Sequence, residues 1–127
     1  MVQHIALTVN DSKEIESFYK DVLLFHIHHK FSIDRNVIKQ IFNVEELTDV
    51  YVLNRHDIQF EIFISSKKES KVFSHICLIY PKAEITYKKA VQTGYKALVK
   101  KNSANNTYFI WDKSGNMFEI KDTTEYN

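Results

Sequence analysis

Two stretches of the chain alternate apolar and polar residues in the manner of half-buried strands, and each of them occurs twice in the sequence. "HIAL" at 4–7 recurs as "HICL" at 75–78, and "FEIF" at 60–63 recurs as "FEIK" at 118–121. The His-Ile pairs are 71 residues apart and the Phe-Glu-Ile triplets 58 apart, so the second half is shorter by 13 residues. We therefore read the chain as an internal repeat. The extra length falls in "RNVIKQIFNVEELTD" at 35–49, which has no counterpart.

Each half predicts a strand, a helix and then further strands. In the first half, apolar residues in "DSKEIESFYKDVLLF" recur at the i, i+3, i+4 spacing of a helix packed by one face, with Asp11 as N-cap and Glu14 at capping-box spacing. Gly94 is predicted to end the helix of the second half. The remaining predicted elements are strands at 4–9, 26–33, 49–53, 58–64, 73–80 and 96–101, helices at 36–42 and 83–93, and a hairpin of 107–111 with 116–121.

Strand geometry predicts where the repeated polar residues point. Side chains alternate between the two faces of a strand, so His4 lies on the other face from Ile5 and Leu7, and Glu61 lies on the other face from Phe60 and Ile62. The face of each strand that carries only apolar residues should pack against the helices. His75 and Glu119 repeat the arrangement, which places all four polar side chains on the helix-free face of a sheet. Converging there, two imidazoles and two carboxylates would suit a divalent transition metal with positions left open for water or substrate.

Other interpretations compete with this one. Any half-exposed strand alternates polar and apolar residues, and a lone histidine near a strand start is more often structural than a ligand. The double occurrence of both patterns favours the metal set. Glu45 and Glu46 are a second candidate base, although an exposed acidic pair is the favoured reading. "HIHHK" offers His26, His28 and His29, with His26 and His28 on one strand face, and a solvated strand is again favoured over a metal pair.

Several further side chains are candidates for an apolar pocket. Phe63, Phe73, Tyr108 and Trp111 lie on or beside strands, where aromatic residues usually belong to the core. Cys77 shares a strand face with His75. A small residue lining the cavity is a better reading of this cysteine than a thiolate ligand.

Length and charge limit the possible functions. The chain of 127 residues fits one domain, residues 1–127, and has 17 Lys and Arg against 16 Asp and Glu. Its basic residues are spread along the chain, which argues against a nucleic-acid partner. One cysteine excludes an intramolecular disulfide, the N-terminus has no signal-peptide pattern, and no apolar run approaches the ~20 residues of a membrane span. These features predict a cytoplasmic protein with no membrane partner.

The sequence resembles the vicinal oxygen chelate superfamily, which includes glyoxalase I, extradiol dioxygenases, methylmalonyl-CoA epimerase, fosfomycin resistance proteins and bleomycin-binding proteins. The resemblance rests on "HIALTVNDSKEIESFYKDVLLF", "HICLIYP" and "YFIWDKSGNMFEI" and covers nearly the whole chain. It implies an α+β fold of two βαβββ modules, residues 1–66 and 72–127. The resulting mixed sheet would curve around a cleft, with the helices on its outer face. It also implies a homodimer and one divalent metal ion, Zn, Ni, Co, Mn or Fe.

Carried over position by position, the metal ligands implied by the resemblance are His4, Glu61, His75 and Glu119. The first-module glutamate is the variable one in the family. Its presence as Glu61 favours glyoxalase-like or epimerase-like sites over the two-histidine, one-carboxylate dioxygenases and the metal-free bleomycin-binding members. The sequence departs from the family at Leu24, where a glycine is usual, and at the last turn, where "DKSG" replaces Asp-Pro-Asp-Gly. With only two arginines, a glutathione-sized or coenzyme A-sized anionic substrate is not expected.

These observations predict a lyase or isomerase acting on a small oxygenated metabolite by metal-assisted proton abstraction. Glu119 or Glu61 would act as the general base while the other remains a metal ligand, and the sequence does not distinguish them. The alternatives are a non-catalytic small-molecule binding or resistance protein and an extradiol-type dioxygenase of the same fold.

Overall fold

Two four-stranded mixed sheets make up the protein, one in each of its two units, Met1–Lys68 and Glu69–Asn127. The computed structural model describes residues 1–67 and 73–123. The first unit contains β1 (Ile5–Val9), a π-helix (Ile15–Lys20), β2 (His26–Ile33), α1 (Arg35–Phe42), β3 (Thr48–Arg55) and β4 (Ile58–Ile64). The second contains β5 (His75–Tyr80), α2 (Ala83–Gln92), β6 (Ala97–Lys100), β7 (Thr107–Trp111) and β8 (Met117–Asp122).

The two sheets share one topology. In the first, the strand order is β1-β4-β3-β2, and in the second it is β5-β8-β7-β6. The first and last strands of each unit pair in parallel, whereas the other neighbours are antiparallel. This pairing confirms the predicted α+β fold of two βαβββ modules. It also places the start of each unit beside its end, which is where the repeated His and Glu residues lie.

The core of the first unit lies on the helix side of its sheet. Phe18, Tyr19, Phe25 and Phe60 are all fully or almost fully buried. The rings of Phe25 and Phe60 stack with centroids 4.5 Å apart, and Tyr19 meets Phe60 edge-on at 6.3 Å. Aromatic contacts of this kind add roughly 0.5–1.5 kcal/mol to the gain from burial alone. The predicted apolar face of β4 is therefore the face that packs.

The core of the second unit repeats this arrangement around α2. Leu78, Phe118 and Ile120 are buried on the strands, and α2 packs against all four strands of the sheet. The first turn of α2 is fixed from outside the helix, because the carboxylate of Asp122 accepts a hydrogen bond of 2.6 Å from the backbone N–H of Ala83. β8 thereby positions both the helix start and the segment that carries Glu119.

The helix of the second unit ends as the sequence predicts, whereas the helix of the first unit differs in type from the prediction. Gly94 has φ +86° and ends α2 in a Schellman motif, as predicted. The first helix is a π-helix rather than the predicted α-helix, with i→i+5 hydrogen bonds such as Leu23 N–H to the Phe18 carbonyl. Leu24, at the position where the resemblance leads us to expect glycine, adopts φ +63° just after it. An L-residue pays roughly 1 kcal/mol for this left-handed conformation.

Among the described residues, no helix is both long and apolar enough to cross a membrane.

Candidate metal centre

The parallel ladder between β1 and β4 positions the first candidate pair. Ala6 is the direct partner of Glu61 on this ladder, and His4 lies two residues earlier on the same face. Because Ala6 has a small side chain, the imidazole of His4 reaches across to the carboxylate. His4 Nε2 lies 3.6 Å from Glu61 Oε1. Both side chains retain solvent access, with 38% and 22% of their surface exposed.

The second unit builds the same pair by the same route. On the ladder between β5 and β8, Cys77 is the direct partner of Glu119, and His75 again lies two residues earlier. His75 Nε2 is 3.5 Å from Glu119 Oε1. Cys77 thus occupies the place of Ala6, as a small residue beside a glutamate.

The spacing of each pair fits two ligands of one metal ion. Atoms bound at about 2.1 Å to a tetrahedral metal lie about 3.4 Å apart. The separations of 3.6 and 3.5 Å match this value and are longer than an ordinary N–H···O hydrogen bond. The donor set of imidazole nitrogen and carboxylate oxygen is also one that divalent transition metals accept. Each pair therefore has the spacing and the donor atoms of two ligands of one metal ion.

The tautomer of His75 supports this interpretation. Its Nδ1 lies 2.8 Å from the backbone carbonyl oxygen of Phe73, and since a carbonyl can only accept, Nδ1 carries the proton. In a neutral ring, Nε2 then holds the lone pair and faces Glu119. Metal-binding histidines are commonly oriented in this way by a hydrogen bond from the other ring nitrogen.

Lys121 is a feature of the site that sequence reasoning did not find. Its ammonium lies 3.4 Å from Glu119 Oε2, so the two oxygens of this carboxylate face different neighbours, His75 and Lys121. Strand alternation puts Lys121 on the same face as Glu119. It did not reveal a contact, because residues two apart on a strand meet only when a long side chain folds back.

The structure brings together His4 with Glu61 and His75 with Glu119, one pair in each unit. Within the described part of either unit, no three His, Cys, Asp or Glu side chains could together hold a metal ion. A catalytic metal usually has three protein ligands. The binding of one ion by both pairs therefore stays a prediction.

One ring contact brings the end of α1 to the strand face that carries Glu61. The ring of Phe42, the last residue of α1, meets the ring of Phe63 edge-on with centroids 5.3 Å apart. Phe63 shares its strand face with Glu61, two residues away. The inserted segment thus contacts Phe63 on β4, which its sequence alone did not indicate.

The acidic pair considered as a second base is engaged elsewhere. Glu45 forms an ion pair of 3.3 Å with Lys39, and the Glu46 carboxylate accepts a hydrogen bond from Ser65. These contacts agree with the reading of Glu45 and Glu46 as a surface pair.

The histidines of β2 are arranged differently from the predicted alternation. A bulge between Ile27 and His29 shifts the register, so that His26 and His29 face residues two apart on β3 and thus share a face. The bulge also brings neighbouring rings together, with Nδ1 of His28 and His29 2.5 Å apart. Strict alternation of faces along β2 therefore breaks at His29, which lies on the same face as His26. No glycine marks this bulge in the sequence.

Comparison with known proteins agrees with the fold. A family model described as "Glyoxalase/Bleomycin resistance protein/Dioxygenase superfamily" matches residues 1–120. No curated protein sequence matches the chain. Among solved structures, the glyoxalase family protein from Enterococcus faecalis is 16% identical with a TM-score of 0.69, and the comparison covers 94% of this chain and 95% of that one.

Two other similar structures are fosfomycin resistance proteins. FosX from Listeria monocytogenes, a variant complexed with Mn(II) and 1S,2S-dihydroxypropylphosphonic acid, is 13% identical with a TM-score of 0.73, covering 94% of this chain and 90% of that one. FosX from Mesorhizobium loti is 15% identical with a TM-score of 0.66, covering 94% and 89%. At these identities the similarity concerns the fold alone.

Proposed function

The chain belongs to the Glyoxalase/Bleomycin resistance protein/Dioxygenase superfamily, and we propose that it is a metal-dependent lyase or isomerase of the glyoxalase or epimerase kind. Its substrate would be a small oxygenated metabolite. One observation carries the proposal: the fold forms the same His–Glu pair twice, at 3.6 and 3.5 Å, through the same ladder position in each unit. The repetition of both the residue types and their spacing supports a shared role for the two pairs.

In this proposal His4, Glu61, His75 and Glu119 bind one divalent ion, Zn, Ni, Co, Mn or Fe. The ligands would come from one chain or from two chains of a homodimer. The Mn(II) complex of FosX supports the proposal, because it is a metal site in a protein of similar fold. The cytoplasm remains the predicted compartment.

The chemistry divides between the ion and the protein. A bound divalent ion polarises a substrate carbonyl and stabilises the negative charge that develops on its oxygen. His4 and His75 would hold the ion through neutral imidazole nitrogens. One of the two glutamates would loosen from the ion and accept the proton from the carbon next to the carbonyl, and the other would remain a ligand.

Metal analysis of protein purified without an affinity tag tests the ligand set. We expect one ion per site after loading with Zn(II), Ni(II), Co(II) or Mn(II), and loss of that ion in both His4→Ala and His75→Ala. The control is His56→Asn, because His56 lies in an exposed turn with φ 51°, a conformation that asparagine tolerates. Equal metal content in all four proteins would contradict the proposal.

Proton exchange tests the reaction class. Metal-loaded protein is screened in D2O with dicarbonyl adducts and 2-methylacyl thioesters, and deuterium entry at the carbon next to the carbonyl is followed by NMR. Of Glu61→Gln and Glu119→Gln, the variant at the base should lose exchange but retain metal, and the variant at the ligand should lose both. Exchange that persists in both variants would exclude a role for these carboxylates as base.

A non-catalytic binding or resistance protein is the second candidate. The similar FosX structures favour including fosfomycin among its ligands, and the cation of Lys121 beside Glu119 suits an anionic group. Fosfomycin should then raise the melting temperature even after chelator treatment, whereas an enzyme with a metal site should lose this stabilisation. Oxygen consumption with Fe(II) would instead favour the dioxygenase alternative.

A further inference from the structure

The two modules differ in the segment that joins their second and third strands. In the first module, α1 (Arg35–Phe42) lies between β2 and β3. In the second, residues 101–106 join β6 to β7 without a helix. When both halves of a duplicated fold supply equivalent ligands, recognition of a particular substrate depends on the segments in which the halves differ. The surroundings of α1 are therefore the place to look for substrate recognition.

α1 is fixed at both ends and in its middle. The Asp34 carboxylate accepts a hydrogen bond of 3.0 Å from the Val37 N–H and caps its start. Asn43, with φ 58°, ends the helix in a left-handed conformation, and Ile38 is buried with 2% of its surface exposed. The helix therefore holds Phe42 in a defined position.

Phe42 and Phe63 together form an apolar surface beside Glu61. Their rings meet at 69°, in the edge-to-face geometry that aromatic pairs prefer. Phe63 lies two residues beyond Glu61, a distance of about 6.6 Å along the strand. Half of Phe42 remains exposed to solvent. An apolar ring that is held against Phe63 and is still half exposed can bury part of a ligand.

The equivalent position in the second module carries the opposite chemistry. The 58-residue repeat that relates Glu61 to Glu119 relates Phe63 to Lys121, whose ammonium lies 3.4 Å from Glu119. One carboxylate thus has an aromatic neighbour and the other a cationic one. The surroundings of Glu61 therefore favour hydrocarbon, whereas those of Glu119 favour a charged group.

We propose that Phe42 and Phe63 form an apolar subsite that holds the hydrocarbon part of the substrate beside Glu61. This inference rests on the proposed metal function and narrows its substrate class. The substrate is a small molecule with two neighbouring oxygen atoms and an aromatic or branched aliphatic substituent. Burying such a substituent, rather than a methyl group, against the pair should improve binding about tenfold.

Two hydroxamates test the subsite, because acetohydroxamate and benzohydroxamate present the same two oxygen atoms and differ in their apolar group. Titration calorimetry on metal-loaded protein should give an approximately tenfold preference for benzohydroxamate. Phe42→Ala should reduce this preference to about twofold or less, without changing the metal content or the affinity for acetohydroxamate. Ile41→Ala is the matched control, since Ile41 is a more exposed apolar residue of the same helix, with 65% of its surface accessible.

A second measurement does not depend on the metal. The 19F resonance of 4-fluorotoluene should broaden with chelator-treated wild-type protein and with Ile41→Ala, but not with Phe42→Ala. Broadening that depends on Phe42 in a protein that binds no metal would support the subsite and refute the metal function. Equal hydroxamate preferences in wild type and Phe42→Ala, together with broadening that ignores Phe42, would refute the subsite and leave the metal function standing.

Sedimentation velocity excludes a different occupant. If Phe42→Ala dissociates an oligomer while the hydroxamate preference is unchanged, the aromatic pair is a contact between copies of the chain, and the subsite is refuted.

Discussion

Asp112 stabilises the turn that precedes β8, the strand that carries Glu119. Substituting Asp112 therefore tests which contacts hold this part of the second unit in place. Its Oδ1 accepts hydrogen bonds from the backbone N–H groups of Ser114, at 2.9 Å, and Asn116, at 2.8 Å. Its Oδ2 accepts a third, of 2.7 Å, from the Asn116 side chain. Asp112 and Asn116 are only 4% and 3% exposed. The substitution Asp112→Ala deletes all three acceptor contacts at once.

The expected loss follows from how many of these donors water can reach. A hydrogen bond to a charged group contributes about 1.5–3 kcal/mol, and a buried donor left unsatisfied costs about 1–3 kcal/mol. Both donors of Asn116 are buried and keep most of that cost, whereas the Ser114 N–H is only partly buried and can bond to water. We therefore expect Asp112→Ala to lower the free energy of unfolding by about 3 kcal/mol.

Urea unfolding followed by circular dichroism measures this loss, provided that wild type and variant unfold with the same m-value. Asp57→Ala is the matched control, because Asp57 lies exposed in the corresponding turn between β3 and β4 and should cost less than about 0.5 kcal/mol. A loss below about 1 kcal/mol for Asp112→Ala would show that the carboxylate does not hold the turn, and the reasoning would be wrong.

Three further predictions concern single local features. Leu24→Gly should raise the free energy of unfolding by up to about 1 kcal/mol in urea titrations, because Leu24 pays for φ +63° while 57% exposed, and a lower stability would contradict this. Asp34→Ala should cost about 1 kcal/mol by the same assay through loss of the cap on α1, and Asp34→Asn should restore most of it. A hydrogen bond from Ser32 lowers the pKa of Asp49 in the folded protein. The stability that this carboxylate provides is therefore fully present above its unfolded-state pKa, and it is lost as the pH falls through the lower folded-state pKa. Ser32→Ala should therefore raise the Asp49 pKa in NMR titrations and remove that contribution, and an unchanged pKa would contradict the assignment.

The sequence predicted the faces of the strands well because burial enforces alternation. Phe60 and Ile62 are fully buried, and Glu61 between them faces the other side with 22% of its side chain exposed. A one-residue slip would bury the carboxylate and expose both apolar side chains, so the register is strongly determined. The same argument holds for Glu119 between Phe118 and Ile120.

The sequence predicted less well where local geometry depends on tertiary contacts. A π-helix differs from an α-helix by one hydrogen-bond step, and the apolar stripe of residues 15–23 fits both. The bulge in β2 inserts one unpaired residue without a glycine to announce it. The contact of Phe42 with Phe63 joins positions 21 residues apart, and the amphipathic pattern of α1 does not specify which surface it covers.

The pairing of first and last strands explains how two weak sequence signals define a candidate site. Alternation assigns His4 and Glu61 to one face, but a face of four strands is far wider than a metal ion. Only the parallel ladder, with Ala6 opposite Glu61, brings Nε2 and Oε1 to ligand spacing. The repeat then supplies an internal control, because His75 and Glu119 reach the same spacing with Cys77 in place of Ala6. The small residue differs between the two units, whereas the spacing is nearly the same. The backbone register, and not a particular side-chain contact, therefore sets the geometry of the candidate ligands.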